Sequence, residues 1–414
     1  MMRLYMTFLS ASAGGGLTYL RNVLPRLAGV ADVHTTALLP PPLAPEFGGS
    51  ARVEVVPATG IEGRGLGRFV REQRALPGLL ERARADVLVS TGNMALLGSP
   101  IPQIVLARNA LYTSRQFRRD LVRRRAFGLL ADTVAKTWLA RRAVRVADAT
   151  VAPSEAFAAA LRRWVPERAS TVLAIPHGFD HAAFFDEAAS LPAATAARLA
   201  RDESELRLLF VSHYNYFRNF ETLLRALPLL KSRVGGRRVK LVLTCELRPK
   251  PAWGPYDATA VRDLVRRLGV RDDLVELDLV PYRGLHHVYR ACDVYVTPSY
   301  VESFGHPLVE AMASGLPVVA SDLAVHREVC GDAAVYFPAL SADALARRIA
   351  DVACSPDLAT RLARRGRARS GDFSWDRHVV SLVSLGERLA RRGPSRGPAT
   401  MPDRAVAGRA TAEP

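Results

Sequence analysis

No stretch of this 414-residue chain is apolar for long enough to cross a bilayer as a helix. The best candidate, Asp86–Ala107, is broken by Gly92, Asn93, Gly98, Pro100 and Pro102. Cysteine is scarce. Cys245, Cys292, Cys330 and Cys354 match no zinc spacing and build no disulfide framework, so a reducing cytoplasm is the expected setting. Acidic residues are also short, 40 against 57 Lys and Arg, and the formal net charge is +17. Such an excess favours anionic partners: nucleic acid, acidic lipid surfaces or phosphorylated ligands. Aromatics make up only 7%. No recognition helix, RNA motif or stacking pattern accompanies the charge, which argues against a nucleic-acid-binding protein. No acidic cluster calls for a metal. Met1–Ala13 has one early Arg and a marginal apolar stretch, and reads as a first buried strand entering a glycine loop rather than as a signal peptide.

What is present is enough apolar material, 49%, for ordinary cores, and a length that suits two domains. Short β-branched runs alternate with amphipathic stretches. In the first half the runs are Arg3–Phe8, Val53–Val56, Val87–Ser90, Gln103–Ala107, Ala149–Val151 and Thr171–Ile175. In the second they are Leu208–Ser212, Lys240–Thr244, Val275–Leu277, Val294–Thr297, Val318–Ser321 and Ala334–Phe337. Helical spacing marks Leu17–Leu27, Phe220–Leu230 and Val261–Leu268. The alternation predicts an α/β chain with parallel sheets covered on both faces, in two doubly wound, Rossmann-like domains facing a central cleft. The Pro/Gly turn at 176–180 divides residues 1–180 from 181–375. Residues 376–392 read as a terminal helix, and 393–414, rich in Gly, Pro, Ala and Arg, as a disordered tail.

The segment Glu302-Ser303-Phe304-Gly305-His306-Pro307-Leu308-Val309-Glu310 follows the run Val294–Thr297. Pro307 suits a first helical position, and Gly315 with Pro317 marks a stop. The Phe304, Gly305 and His306 amides would then lie at a helix N-terminus, where phosphate binds well. Glu302 and Glu310 would face one cleft and accept from hydroxyls. The pattern points to a nucleoside diphosphate sugar. The alternative is one capping glutamate and one on a solvated face. From Ala291 to Val319, and again over Glu328–Ala334, the sequence resembles glycosyltransferase family 4, with its glutamate-x7-glutamate signature. The resemblance covers most of Leu208–Val380 and the first half loosely.

That resemblance implies a retaining enzyme of GT-B fold whose terminal helix crosses back to the first domain. It places Glu310 on the donor ribose, Glu302 beside the transferred sugar, and Ser303, Phe304, Gly305 and His306 around the diphosphate. No cofactor is required beyond the donor. The expected acceptor is a glycan or lipid-linked hydroxyl in cell-surface glycan or glycolipid synthesis. Arg218, at the start of the helix after Leu208–Ser212, stands at the family's lysine position, and its guanidinium suits a leaving diphosphate. Asn219 is the expected N-cap. His213 stands where the family carries arginine; the alternative for it is an ordinary loop histidine. Gly15 and Gly16 open a loop that, in the family, faces the donor phosphates. Arg108 and Asn109 lie where many members carry a histidine. Neither is a general base, which a retaining mechanism tolerates if the departing phosphate takes the acceptor's proton.

Arg115–Arg145 holds ten Lys/Arg and two Asp/Glu among apolar residues such as Leu121, Phe127, Leu129, Leu130, Val134, Trp138 and Leu139. It reads as basic amphipathic helix suited to the inner face of an anionic membrane, or else as a solvated face with its apolar side in the core. A nucleotide-sugar epimerase or a sugar phosphorylase on the same architecture stays open at this point.

Overall fold

The computed structural model describes residues 1–393 except 12–13, 62, 64, 203, 249–254 and 278. The tail predicted over 393–414 therefore lies outside the described residues, apart from Gly393. Among the described residues, thirteen strands form two parallel sheets. The first contains β1 (Met2–Thr7), β2 (Val33–Leu39), β3 (Val53–Pro57), β4 (Val87–Ser90), β5 (Gln103–Leu106), β6 (Ala149–Ala152) and β7 (Val172–Ala174), in the order β3-β2-β1-β4-β5-β6-β7. The second contains β8 (Glu205–Phe210), β9 (Arg238–Leu243), β10 (Leu274–Glu276), β11 (Val294–Thr297), β12 (Val318–Ser321) and β13 (Ala334–Phe337), in the order β10-β9-β8-β11-β12-β13. Central strands such as β4, β5, β11 and β12 are buried along their whole length, which is why they read as unbroken apolar runs.

Sheet order reverses between β1 and β4 in the first domain and between β8 and β11 in the second. Loops leaving adjacent strands part at such points and leave a crevice at their carboxyl ends. Strand β2 was not among the runs read from the sequence. Its sequence opens Val33-His34-Thr35-Thr36, and the polar His and Thr side chains interrupt the apolar run although threonine itself favours strand.

The long helix Trp375–Arg392 lies on the first sheet, not the second. Its Val379, Leu382, Val383 and Leu385 share a core with Leu4, Met6, Tyr19 and Val23. The linker passes beneath its start. A Cβ on Gly178 would stand 2.0 Å from the Trp375 backbone nitrogen, so only glycine fits there. Hydrogen bonds join the two domains along the cleft. Tyr300 donates to Asp120 at 2.8 Å, Arg124 pairs with Glu221 at 2.6 Å, and Glu328 accepts from the Glu155 and Ala156 amides at 2.7 and 2.6 Å.

Candidate active site

Arg218 follows β8 and Glu302 follows β11, so both stand at the switch point of the second sheet. They form an ion pair, largely enclosed. The Glu302 carboxyl is pushed up by burial. The Arg218 guanidinium, His326 and the Ser303 amide more than offset that and hold it below the usual range. Beneath the pair runs a polar network. Arg218 Nη1 reaches Ser299 Oγ at 3.4 Å, and the Ser299 carbonyl accepts from the Ser321 hydroxyl. His326 Nδ1 lies 2.9 Å from the Ser321 carbonyl, so it carries the proton. Its Nε2 is buried without a partner, as is Arg218 Nε. An orphaned guanidinium donor in a crevice is a place for an anion. Sequence reading missed His326, which carries no local signal and reaches the site only by folding.

Glu310 sits one turn inside the helix His306–Ala313 and is buried. Its Oε2 accepts from the Tyr289 hydroxyl at 2.8 Å. Burial raises its carboxyl to about 7, with that hydrogen bond opposing the rise. The two glutamates therefore occupy different surroundings, one paired with a cation and one buried with a raised carboxyl. Tyr295 on β11 lies within electrostatic reach of Arg218, Glu310 and Glu302 alike, which keeps the three charges in one neighbourhood.

Gly305 takes the left-handed conformation, φ +88°, and caps the helix. A Cβ there would come within 2.9 Å of Leu308, so any side chain would be both strained and crowded. Among the described residues the amides of Phe304, Gly305 and His306 have no hydrogen-bond acceptor. The side chains behave differently from those amides. The Phe304 ring is buried against His177 and Phe373. The His306 ring stacks on His177 at 5.1 Å and on Trp375 at 5.9 Å. His378, bonded to the Tyr19 hydroxyl at 2.9 Å, completes a buried aromatic junction of both domains and the terminal helix. Burial lowers His306 and His378 to about 4, and holds His177 well below its ordinary range. All three rings are neutral. The Ser303 hydroxyl donates to the Arg108 carbonyl at 2.8 Å, and its own carbonyl accepts from Ser154 at 2.8 Å. Its side chain thus serves the domain interface.

One local expectation needs correction. Asn219 stands at the N-cap of the helix Phe220–Lys231, but its side chain accepts no backbone amide. A left-handed backbone turns it instead toward the Pro298 carbonyl, 3.0 Å, and the Thr222 hydroxyl, 2.9 Å. His213 lies near Arg218, and burial followed by that charge lowers its imidazole.

On the facing domain the first helix begins at Gly15, two residues earlier than predicted, so Gly15 and Gly16 are its first turn. Arg108 is buried over the Tyr19 ring and donates to the Thr91 carbonyl at 2.7 Å and to the Gly15 carbonyl at 3.3 Å. Asn109 Oδ1 accepts from the Leu111 amide at 3.0 Å. Both side chains make hydrogen bonds that build the loop. Between the ends of β1 and β4 lies a polar depression lined by Thr7, Ser10, Arg68, Glu72, Ser90 and Gly92. Sequence reading overlooked Arg68 and Glu72, an i,i+4 ion pair at 3.0 Å on a helix that carries no motif.

Residues 194–369 match the family model described as Glycosyl transferases group 1. A D-inositol 3-phosphate glycosyltransferase of Segniliparus rotundus is 30% identical over 222 residues, 52% of this chain and 46% of that protein. The chain spans about half the length of the relatives it matches. Among solved structures, sucrose-phosphate synthase (tll1590) from Thermosynechococcus elongatus superposes with a TM-score of 0.75 at 19% identity, over 95% of this chain and 100% of that one. Anabaena Alr3699/HepE in complex with UDP-glucose gives 0.67 at 16% identity, over 94% and 100%. The fold is therefore GT-B, and residues 194–369 are similar to the group 1 glycosyl transferases.

Proposed function

We propose that this protein is a retaining glycosyltransferase of family 4 type, moving a sugar from a nucleoside diphosphate to an acceptor hydroxyl. The observation that carries the reading is the Arg218–Glu302 pair at the β8/β11 switch point, with an orphaned guanidinium nitrogen and, in the loop that Glu302 opens, three unpartnered amides. The diphosphate takes Arg218 and the amides of Phe304, Gly305 and His306. Glu302, released from its cation, turns to the sugar hydroxyls. Glu310 accepts from the ribose. UDP-glucose in a protein of like fold supports a nucleotide sugar as donor.

The acceptor enters from the first domain, in the depression beside Arg68 and Glu72. In the reaction the bond from the anomeric carbon to the phosphate oxygen breaks. The acceptor oxygen bonds to that carbon on the same face, and its proton passes to the departing phosphate. Arg218 and the amides stabilise the negative charge that develops there. A role in cell-surface glycan or glycolipid synthesis follows if the acceptor is lipid-linked.

The test is proton NMR of the products from UDP-, GDP-, ADP- and dTDP-sugars with an alcohol acceptor. The expected result is acceptor-dependent release of the nucleoside diphosphate with the donor's anomeric configuration kept. An inverted product would overturn retention. Sugar turnover without acceptor, giving an epimer or a sugar phosphate, would overturn transfer itself.

A further inference from the structure

The basic stretch read as one amphipathic helix is two, Arg115–Arg123 and Phe127–Val146. The first is ordinary: Phe117 and Leu121 face the core and arginines face out. The second is not. It buries Thr133, Ala140, Ala143 and Val144, while Phe127, Val134 and Trp138 stand 61%, 51% and 66% exposed on the opposite stripe. A surface helix normally turns its polar side to water. Here large apolar side chains occupy that side, and Val122 of the neighbouring helix extends it at 52% exposure. Around this patch lie Arg115, Arg119, Arg125 and Arg142. All are exposed, and none has an ion-pair partner among the described residues.

We propose that this face docks on an anionic lipid bilayer, with Phe127, Val134 and Trp138 entering the interface and the bordering arginines meeting lipid phosphates. Aromatic and aliphatic tips among unpaired cations match the two layers of such a surface, apolar below and negative above. A second copy of the chain would set arginine against arginine, so self-association fits this patch poorly.

Position supports the same occupant. The Thr137 hydroxyl reaches the Tyr112 carbonyl at 3.5 Å, just beyond the end of β5. The Tyr112 phenol responds to Asp132 of this helix and to Arg68 of the acceptor-side depression. Tyr256, from the second domain, responds to Tyr112 and Asp132 as well. The helix that carries the exposed stripe therefore packs on the segment that follows β5, at the cleft side of the first domain. A bilayer there delivers a lipid-linked acceptor directly, and this consequence alone rests on the transferase reading.

Flotation of the full chain with phosphatidylcholine vesicles, with and without 30% phosphatidylglycerol, tests the proposal in the absence of any donor, so the result stands whether or not transfer is shown. Binding is expected only to the anionic vesicles. The variant Phe127→Ser/Val134→Ser/Trp138→Ser should lower partitioning at least about tenfold. Arg119→Gln/Arg142→Gln should lower it on the order of tenfold. Both variants should keep the native melting temperature. No binding to anionic vesicles, equal binding to both kinds, or binding untouched by either variant would overturn the proposal. So would a dimer in light scattering that the triple variant dissolves.

Discussion

At the scale of single residues, two glutamates eight positions apart are set in opposite electrostatic states. Glu302 is held ionised by Arg218. Glu310, which accepts from the Tyr289 phenol, is raised to about 7 by burial. A neutral carboxyl accepts poorly from two ribose hydroxyls, and the ionised form accepts well. Nucleoside diphosphate affinity should therefore rise several-fold between pH 6 and 8. Glu310→Gln should bind about tenfold more weakly and retain only the part of that rise due to phosphate ionisation. Calorimetry across that range checks both. Arg218, Glu302 and Glu310 were legible in the sequence because each lies within a few residues of a strand end or helix start whose pattern is strong. His326 and His177 were not. They meet their partners only across folded distance, and a lone histidine in a run has no period to betray it.

At the scale of elements, β4, β11 and β12 could be placed to the residue because burial on both faces leaves them apolar up to a closing Ser or Thr. Strand β2 escaped because Thr35 and Thr36 interrupt its apolar run, although both are buried. The basic stretch, read as continuous helix, is two helices, and which side of the second meets the core was left open. Periodicity alone does not say which face of a helix meets the core when apolar residues lie on both. The terminal helix depends on a close approach that no periodicity predicts, the passage of Gly178 under Trp375. Gly178→Ala should force the two backbones apart and destabilise the protein by about 1–3 kcal/mol. A drop of several degrees in the melting temperature, with secondary structure retained by circular dichroism, is the expected result.

At the scale of the whole molecule, the two domains and the terminal helix meet at His177, His306, His378, Tyr19 and Trp375. These histidines are neutral when folded, with His306 and His378 lowered to about 4 against 6.5 unfolded. Between those values the unfolded chain binds more protons, so this contribution is complete above about pH 6.5 and is lost as pH falls toward 4. Glu310 runs the other way, its contribution present below its unfolded value and lost as pH rises through about 7. With several histidines against one such glutamate at these sites, urea midpoints should fall from pH 7 to pH 5. His306→Gln/His378→Gln should flatten that dependence.

The same closure brings Ser303 against Arg108 and sets the donor loop facing the first domain. The account thus depends on whether the crevice beside Arg218 holds a diphosphate. Titration calorimetry of UDP, GDP, ADP and dTDP against the native chain and Arg218→Ala decides this. At least one nucleotide should bind the native chain, and the variant, still folded, should lose affinity for it by about a hundredfold. Equal affinity in the two proteins, or no binding of any of the four, would contradict the account.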